Sequence, residues 1–184
     1  MKKLLLVSSN PFKAKEVQEI MHIDVEVVNL DLDEIQGLDV ETVAKHKLTQ
    51  AYEKVKKPVM IDDVSFEVNA WNLFPGPLIK WILTAGGPEL LLKMLGNEEN
   101  RKANAVLAIG FHDGKKPFIF LGRAKGKIAY EVRGKNGFGW DKVFIPDGYD
   151  KTYAEMDTNL KNSISHRALA LSLFKDFLKT NYGI

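Results

Sequence analysis

The stretch Leu4-Leu5-Leu6-Val7-Ser8-Ser9-Asn10-Pro11-Phe12-Lys13 decides the fold class. Residues 4–8 form an apolar run of strand length closed by turn residues, which predicts a buried strand. Asn10 suits a helix N-cap, and Pro11 suits the first helical position, where no N–H is needed. Ala14, Val17, Ile20 and Met21 then recur at helical spacing and give that helix one apolar stripe. A strand running directly into a capped helix is the opening unit of an α/β protein.

The rest of the chain extends this pattern. Residues 25–30 predict a second strand, 40–55 a second helix, and 58–62 a third strand that stops at the carboxylates Asp62 and Asp63. Pro75-Gly76-Pro77 and Gly86-Gly87-Pro88 are breakers on either side of a short helix at 78–83, and a further helix covers 89–95. Residues 103–111 and 118–126, separated by His112-Asp113-Gly114-Lys115-Lys116-Pro117, read as a long antiparallel hairpin. A loop at 134–139, a short strand at 143–145 and a last helix from about 165 to 179 complete the chain, the helix carrying Ala168, Leu171, Phe174 and Leu178 on one face. Strand–helix alternation followed by a hairpin predicts an α/β fold with a mixed sheet, formed as one domain over residues 1–184.

Composition narrows the chemistry. With 45% hydrophobic and 27% charged residues, the 184-residue chain has the make-up of a folded globule. No apolar run approaches the roughly 20 residues that a membrane helix needs. The apolar run after Lys2-Lys3 is too short for a signal peptide, so a cytoplasmic location and no membrane partner are expected. The chain has no cysteine, which excludes disulfides, thiolate catalysis and cysteine-bound zinc; any metal must sit on oxygen or imidazole. The 26 basic and 24 acidic residues leave +2, without the basic excess or cluster of a nucleic-acid binder.

Four stretches could carry chemistry. In the first, Ser8, Asn10 and Lys13 put a polar turn, free helical N–H groups and an ammonium together, a combination that suits a phosphate. In the second, Asp62 and Asp63 stand at the end of a strand, where α/β folds keep their ligand crevice, and Glu34 could join them from a nearby loop. Such carboxylates suit magnesium, although strand neighbours point to opposite faces, so both reach one ion only if the chain turns there. The third, Gly137-Phe138-Gly139-Trp140-Asp141, can lay flat rings against a flat ligand. The fourth, Lys161 to Arg167, places His166 and Arg167 in the first turn of a helix capped by Ser165, where the dipole disfavours cations and an external acceptor would favour them. Each has an ordinary alternative: a capped helix with a solvated lysine, an acidic turn, two core aromatics, and a solvated helix start.

Taken together and in order, these motifs resemble the inosine triphosphate pyrophosphatase family. The matching stretches are Ser8-x-Asn10-x-x-Lys13, Asp31-x-x-Glu34-x-Gln36-Gly37, Asp62-Asp63, 74–81 (Phe-Pro-Gly-Pro-Leu-Ile-Lys-Trp), 138–141 (Phe-Gly-Trp-Asp), 146–156 and Lys161-Asn162-x-x-Ser165-His166-Arg167. The resemblance covers nearly the whole chain. It implies an elongated α/β fold with a central mixed sheet flanked by helices and a nucleotide cleft between two lobes. It also implies a homodimer and a Mg2+ requirement, one or more ions per subunit, with Mn2+ as a substitute.

By position, the resemblance implies that Ser8, Asn10, Lys13, Lys47, Lys80 and Lys161 meet the phosphates. Glu34 and Asp63 would hold the metal with Asp62 as a further ligand candidate, Asp63 also being the general base. Phe138, Gly139, Trp140, Asp141, Ser165, His166 and Arg167 would form the base and sugar pocket. The implied activity is hydrolysis of deaminated purine nucleotides (ITP, dITP, XTP) to the monophosphate and pyrophosphate, which clears them from the nucleotide pool. Two departures stand out: Val64 occupies the position where the family carries a hydroxyl residue, with Ser65 one place later, and Lys47 aligns only across a one-residue gap. The rival readings are a nucleotide-binding regulatory module without turnover and a related pyrophosphatase for pyrimidine or methylated nucleotides. A dinucleotide-dependent oxidoreductase is set aside, because no glycine-rich strand–helix turn is present.

Overall fold

Seven strands form one mixed sheet, with five α-helices packed around it, in a computed structural model that describes residues 3–183. Strand β1 (Lys3–Val7) feeds helix α1 (Pro11–Met21), where the Asn10 side chain accepts the Phe12 N–H at 3.0 Å, as the opening motif predicts. After β2 (Asp24–Val28), the 29–38 segment carries no regular structure, and α2 (Val40–Val55) starts on Asp39, whose carboxylate caps the N–H groups of Glu41 and Thr42. Next come β3 (Val59–Val68), β4 (Pro75–Gly76), α3 (Ile79–Leu95), β5 (Lys102–His112) and β6 (Pro117–Ile128). The chain ends with β7 (Phe144–Pro146), α4 (Thr158–Ile164) and α5 (His166–Tyr182). The sheet order is β2-β1-β3-β5-β6-β7, with β4 paired to β3. β1 runs parallel to β2 and β3, and the hairpin half is antiparallel, so the sheet is mixed as expected.

One boundary departs from the sequence expectation in a way that shapes the site. β3 does not stop at Asp62 and Asp63; it continues to Val68, paired residue by residue with β5 down to Val68 opposite Ala103. On its other edge β3 meets β1 only at Met60 and Ile61, and meets β4 only from Phe66. The edge between them, residues 62–65, is left open, and the two aspartates sit in that gap. Alternation of side chains then sends them to opposite faces. The expected break in the helix at 79–95 is present: Gly86 and Gly87 leave helical dihedrals ahead of Pro88. The two-residue β4, the short α4 and the turns at 69–71 and 153–155 were not anticipated, being too short to show a period.

Three apolar clusters hold the layers. α1 and α5 pack on one face through Val17, Met21, Leu171 and Phe174. On the other face, α2 packs through Ala44, Leu48 and Ala51 against Ile61 and Ala108. The third cluster forms a second lobe at the far half of the sheet, where Ile79 and Leu91 of α3 meet Phe66, Phe144 and Tyr153. Among the described residues no helix is long and apolar enough to cross a membrane.

The start of α5 lies directly on β6. A Cβ added at Gly122 would fall 2.1 Å from the His166 carbonyl oxygen and 2.3 Å from the Ala170 nitrogen, both backbone atoms that no rotamer change can move. Gly122→Ala should therefore push α5 off the sheet, at the cost of about 1–3 kcal/mol expected for overpacking. A fall in the urea midpoint with an unchanged m-value is the expected reading.

Candidate functional site

The open edge of β3 faces a cavity of about 460 Å³ between the two lobes. Ser8, Asn10 and Lys13 enter it from the β1–α1 turn, Glu34 and Gln36 from the 29–38 segment, and Lys47 from α2. Asp63 and Val64 come from β3, and Lys80 and Trp81 from α3. Phe138, Gly139, Trp140, Asp141, Lys161, His166 and Arg167 close it from the C-terminal half. Residues up to 160 positions apart in the chain (Val7 and Arg167) thus share one cleft. Of the predicted residues, Asp62 and Ser165 do not line the cavity. Ser165 is buried and caps α5 by accepting the Ala168 N–H at 3.1 Å.

One set of charges in the cleft pairs the exposed Glu34 and Lys80 and the half-buried Asp63 and Lys47. Asp63 accepts a hydrogen bond from Lys47 at 3.3 Å and one from the Val64 N–H at 3.0 Å. Lys47 also donates to the Asp62 carbonyl oxygen at 3.2 Å. Glu34 pairs with Lys80 at 2.8 Å. The Lys80 hydrogen bond holds the Glu34 carboxyl below its ordinary value, helped by the charge of Lys47 against a smaller effect of burial. Burial works against the charge on Lys47, but Asp63, Asp62 and Glu34 outweigh it and raise the ammonium above its usual range. Glu34 and Asp63 each have a lysine in contact, Lys80 and Lys47 respectively.

A second set is buried and runs as a chain of alternating charge. Lys13 meets Asp62 at 3.0 Å, Asp62 meets Arg167 at 2.8 Å, and Arg167 meets Glu16. Glu16 uses its other oxygen for Lys161 at 2.7 Å, and Lys161 meets Asp141 at 2.7 Å. Burial pushes the Asp62 carboxyl up, but Lys13, Arg167 and Lys47 outweigh it and hold it well below the usual carboxylate range. Burial raises the Asp141 carboxyl, and Lys161 offsets this only in part. Burial, with the charges of Arg167 and Lys161, keeps His166 a neutral imidazole. This chain explains why β3 continues through two aspartates: Asp62 is a compensated buried charge instead of a solvated turn residue. With both its oxygens on cations, on the far side of the strand from Asp63, Asp62 is placed apart from the Glu34 and Asp63 pair that it was expected to join.

The aromatic stretch depends on a glycine for its turn. Gly137 has φ 68°, and a Cβ there would lie 2.3 Å from Asp141 Oδ2, the oxygen that accepts the Phe138 N–H at 2.9 Å. Phe138 stacks on the exposed ring of Phe12, their centroids 5.7 Å apart, at the rim of the cleft. Trp140 is largely core, against Phe66 and His166, and also borders the cavity. His166 Nδ1 and Arg167 Nε have no hydrogen-bond partner among the described residues, and both residues line the cavity.

The fourth motif also shows what motif reading missed. Glu16 couples Lys161 to Arg167, and its one sequence signal was its place a helical turn after Lys13. Phe12 faces Phe138 without any motif to mark it. Ser65, one place after Val64, does not bring a hydroxyl into the cleft: it is fully buried, its Oγ has no partner among the described residues, and Val64 is the residue that lines the cleft.

A helix start with a lysine and two lysine-paired carboxylates, lining one cleft with aromatic rings, define an α/β protein built for a polyanionic ligand. Its relatives give that class a family. The profile of the Ham1 family matches residues 4–177, and the chain belongs to the Ham1 family. It is 38% identical to the dITP/XTP pyrophosphatase of Methanopyrus kandleri over 183 residues, covering 97% of each chain. It is 46% identical to the inosine triphosphate pyrophosphatase of Scheffersomyces stipitis over 152 residues, covering 82% of this chain and 77% of the relative. Among solved structures it superimposes on the Staphylococcus aureus Ham1 protein with a TM-score of 0.84 at 30% identity, covering 97% of this chain and 99% of that one.

Proposed function

We propose that the chain is a purine nucleoside triphosphate pyrophosphatase that hydrolyses ITP, dITP and XTP to the monophosphate and pyrophosphate, acting in the cytoplasm as a homodimer. One observation carries the reading: Asp63 and Glu34 share a single cleft with Lys13, Lys47 and Lys80 and with Phe138, Trp140, His166 and Arg167. The names of the relatives point to the same substrates.

In this reading the β1–α1 turn and the lysines neutralise the triphosphate, leaving the ring to Phe138 and Trp140. Asp63 accepts a proton from water as the water oxygen bonds to the α-phosphorus, and the α–β bridging oxygen departs with pyrophosphate. The gain comes from position and charge more than from base strength. Two hard-oxygen carboxylates in a cleft open to phosphate fit magnesium, or manganese in its place, and no third acidic or histidine side chain joins them among the described residues. The remaining ligands would be water and substrate phosphate, the usual arrangement for magnesium. Bound there by Glu34 and Asp63, the metal would supply charge stabilisation on the transferring phosphoryl group.

Arg167 Nε and His166 Nδ1 are buried and have no hydrogen-bond partner among the described residues, and both residues line the cleft. A donor at Arg167 satisfies a 6-oxo purine and finds no acceptor on the 6-amino group of adenine. A mismatch of that kind costs about 1–3 kcal/mol, or roughly 5- to 150-fold. Pyrophosphate release measured side by side should be at least about fivefold faster from ITP and XTP than from ATP. Guanine shares the 6-oxo group, so discrimination against GTP must come from the 2-position. Equal rates on ITP, XTP, GTP and ATP would defeat the reading.

A further inference from the structure

We infer that Gln50 of α2 is a positioning residue for Glu34, clamping the main chain beside it so that the carboxylate stays aimed into the cleft; this rests on the metal role proposed for Glu34. The 29–38 segment that carries Glu34 has no strand or helix partner, so its backbone groups must be satisfied otherwise. Gln50 does this at the residue preceding Glu34. Its Oε1 accepts the Asp33 N–H at 2.9 Å, and its Nε2 donates to the Asp33 carbonyl oxygen at 2.8 Å. One side-chain amide thus takes both backbone groups of one residue, as a neighbouring strand would.

The orientation of that amide is determined by its surroundings. The second hydrogen on Nε2 points to His46 Nδ1 at 2.9 Å, one turn earlier on the same helix. Turning the amide over would set its oxygen against the Asp33 oxygen and lose both bonds. One turn later, Lys54 donates to the Asp31 carbonyl oxygen. Positions 46, 50 and 54 make one stripe of α2, spaced by four residues, and the other face of the helix is anchored by Ala44, Leu48 and Ala51 in the core. The same helix supplies Lys47, the partner of Asp63. α2 therefore sets the backbone behind one carboxylate and the cation beside the other.

The far side of the segment is held differently. Glu34 itself bonds Lys80, and Gln36 accepts the Trp81 indole N–H at 2.7 Å, both from α3. Lys80 holds the Glu34 carboxylate at Oε2, and a cation would meet the other oxygen. The carboxylate keeps its aim toward that cation only if the backbone behind it stays fixed, and the Gln50 clamp supplies that fixity.

The probe is Mn2+ titrated calorimetrically into the full chain saturated with a non-hydrolysable ITP analogue. Gln50→Leu keeps a good helix former and removes the clamp. The Mn2+ dissociation constant should rise about tenfold, as losses behind a metal ligand do. The thermal midpoint and the metal-free affinity for the analogue should hold, and kcat at saturating metal should stay within about twofold. In a Glu34→Gln background the same substitution should add nothing, because its effect passes through Glu34. In a wild-type chain that releases pyrophosphate from ITP, unchanged Mn2+ affinity of Gln50→Leu, or an equal loss in the Glu34→Gln background, overturns the role of Gln50 alone. A wild-type chain that releases none overturns the proposed activity and the role with it.

Discussion

Asp63→Asn should reduce pyrophosphate release by at least about 1,000-fold while the nucleotide still binds. Removing a positioned general base costs about 10²–10⁴-fold, and the asparagine also withdraws one of the two carboxylates available to the metal. The change keeps shape and volume at the open edge of β3. Lys47 keeps its second acceptor, the Asp62 carbonyl oxygen, so the wall should not rearrange. The groups expected to hold the substrate are elsewhere: the β1–α1 turn, Lys80 and the aromatic rim. Single-turnover release and calorimetric binding of a non-hydrolysable ITP analogue separate the two effects. A variant that turns over near the wild-type rate would remove Asp63 from the chemistry, whereas one that neither binds nor turns over would mean that Asp63 holds the nucleotide itself.

How much of this could be read from the chain depended on whether the cause was local. Asn10 caps α1 through its own neighbour two residues on, and the 102–128 hairpin follows from strand periodicity around a turn, so both were legible. The course of β3 was not. Asp62 looks like a turn residue until Lys13, 49 positions before it, and Arg167, 105 positions after it, are known to lie on its carboxylate. The candidate site was legible as separate motifs because each needed only a few adjacent residues. Their junctions, Glu16 between Lys161 and Arg167 and Gln50 behind Glu34, have no local mark: glutamate and glutamine are good helix formers that need no special role to stand on a helix. Trp140 shows the reverse case, a residue picked for chemistry whose ring lies mostly in the core.

Arg167→Met should cost about 3–5 kcal/mol of stability, the usual result of removing one partner from a buried ionic arrangement. Arg167 is 1% exposed and bridges Asp62, also 1% exposed, to Glu16, so the substitution leaves two carboxylates under-compensated instead of one. Urea midpoints read the loss, and their pH dependence tells whether charge or packing caused it. In the wild-type chain the folded-state carboxyl of Asp62 lies well below its ordinary 3.8. Its contribution is therefore complete above that value and is lost as the pH falls toward the lower folded one. Without Arg167, burial is opposed by fewer cations, so the carboxyl takes up a proton at a higher pH and its burial becomes less costly there. The gap between wild type and variant should be full at neutral pH and should narrow as the pH drops below about 4. A gap of constant size would assign the loss to the missing side-chain volume. Adding Asp62→Asn tests the same point at neutral pH: with one stranded carboxylate neutralised, the double variant should lose less than the sum of the two single losses, since residues in contact do not act additively.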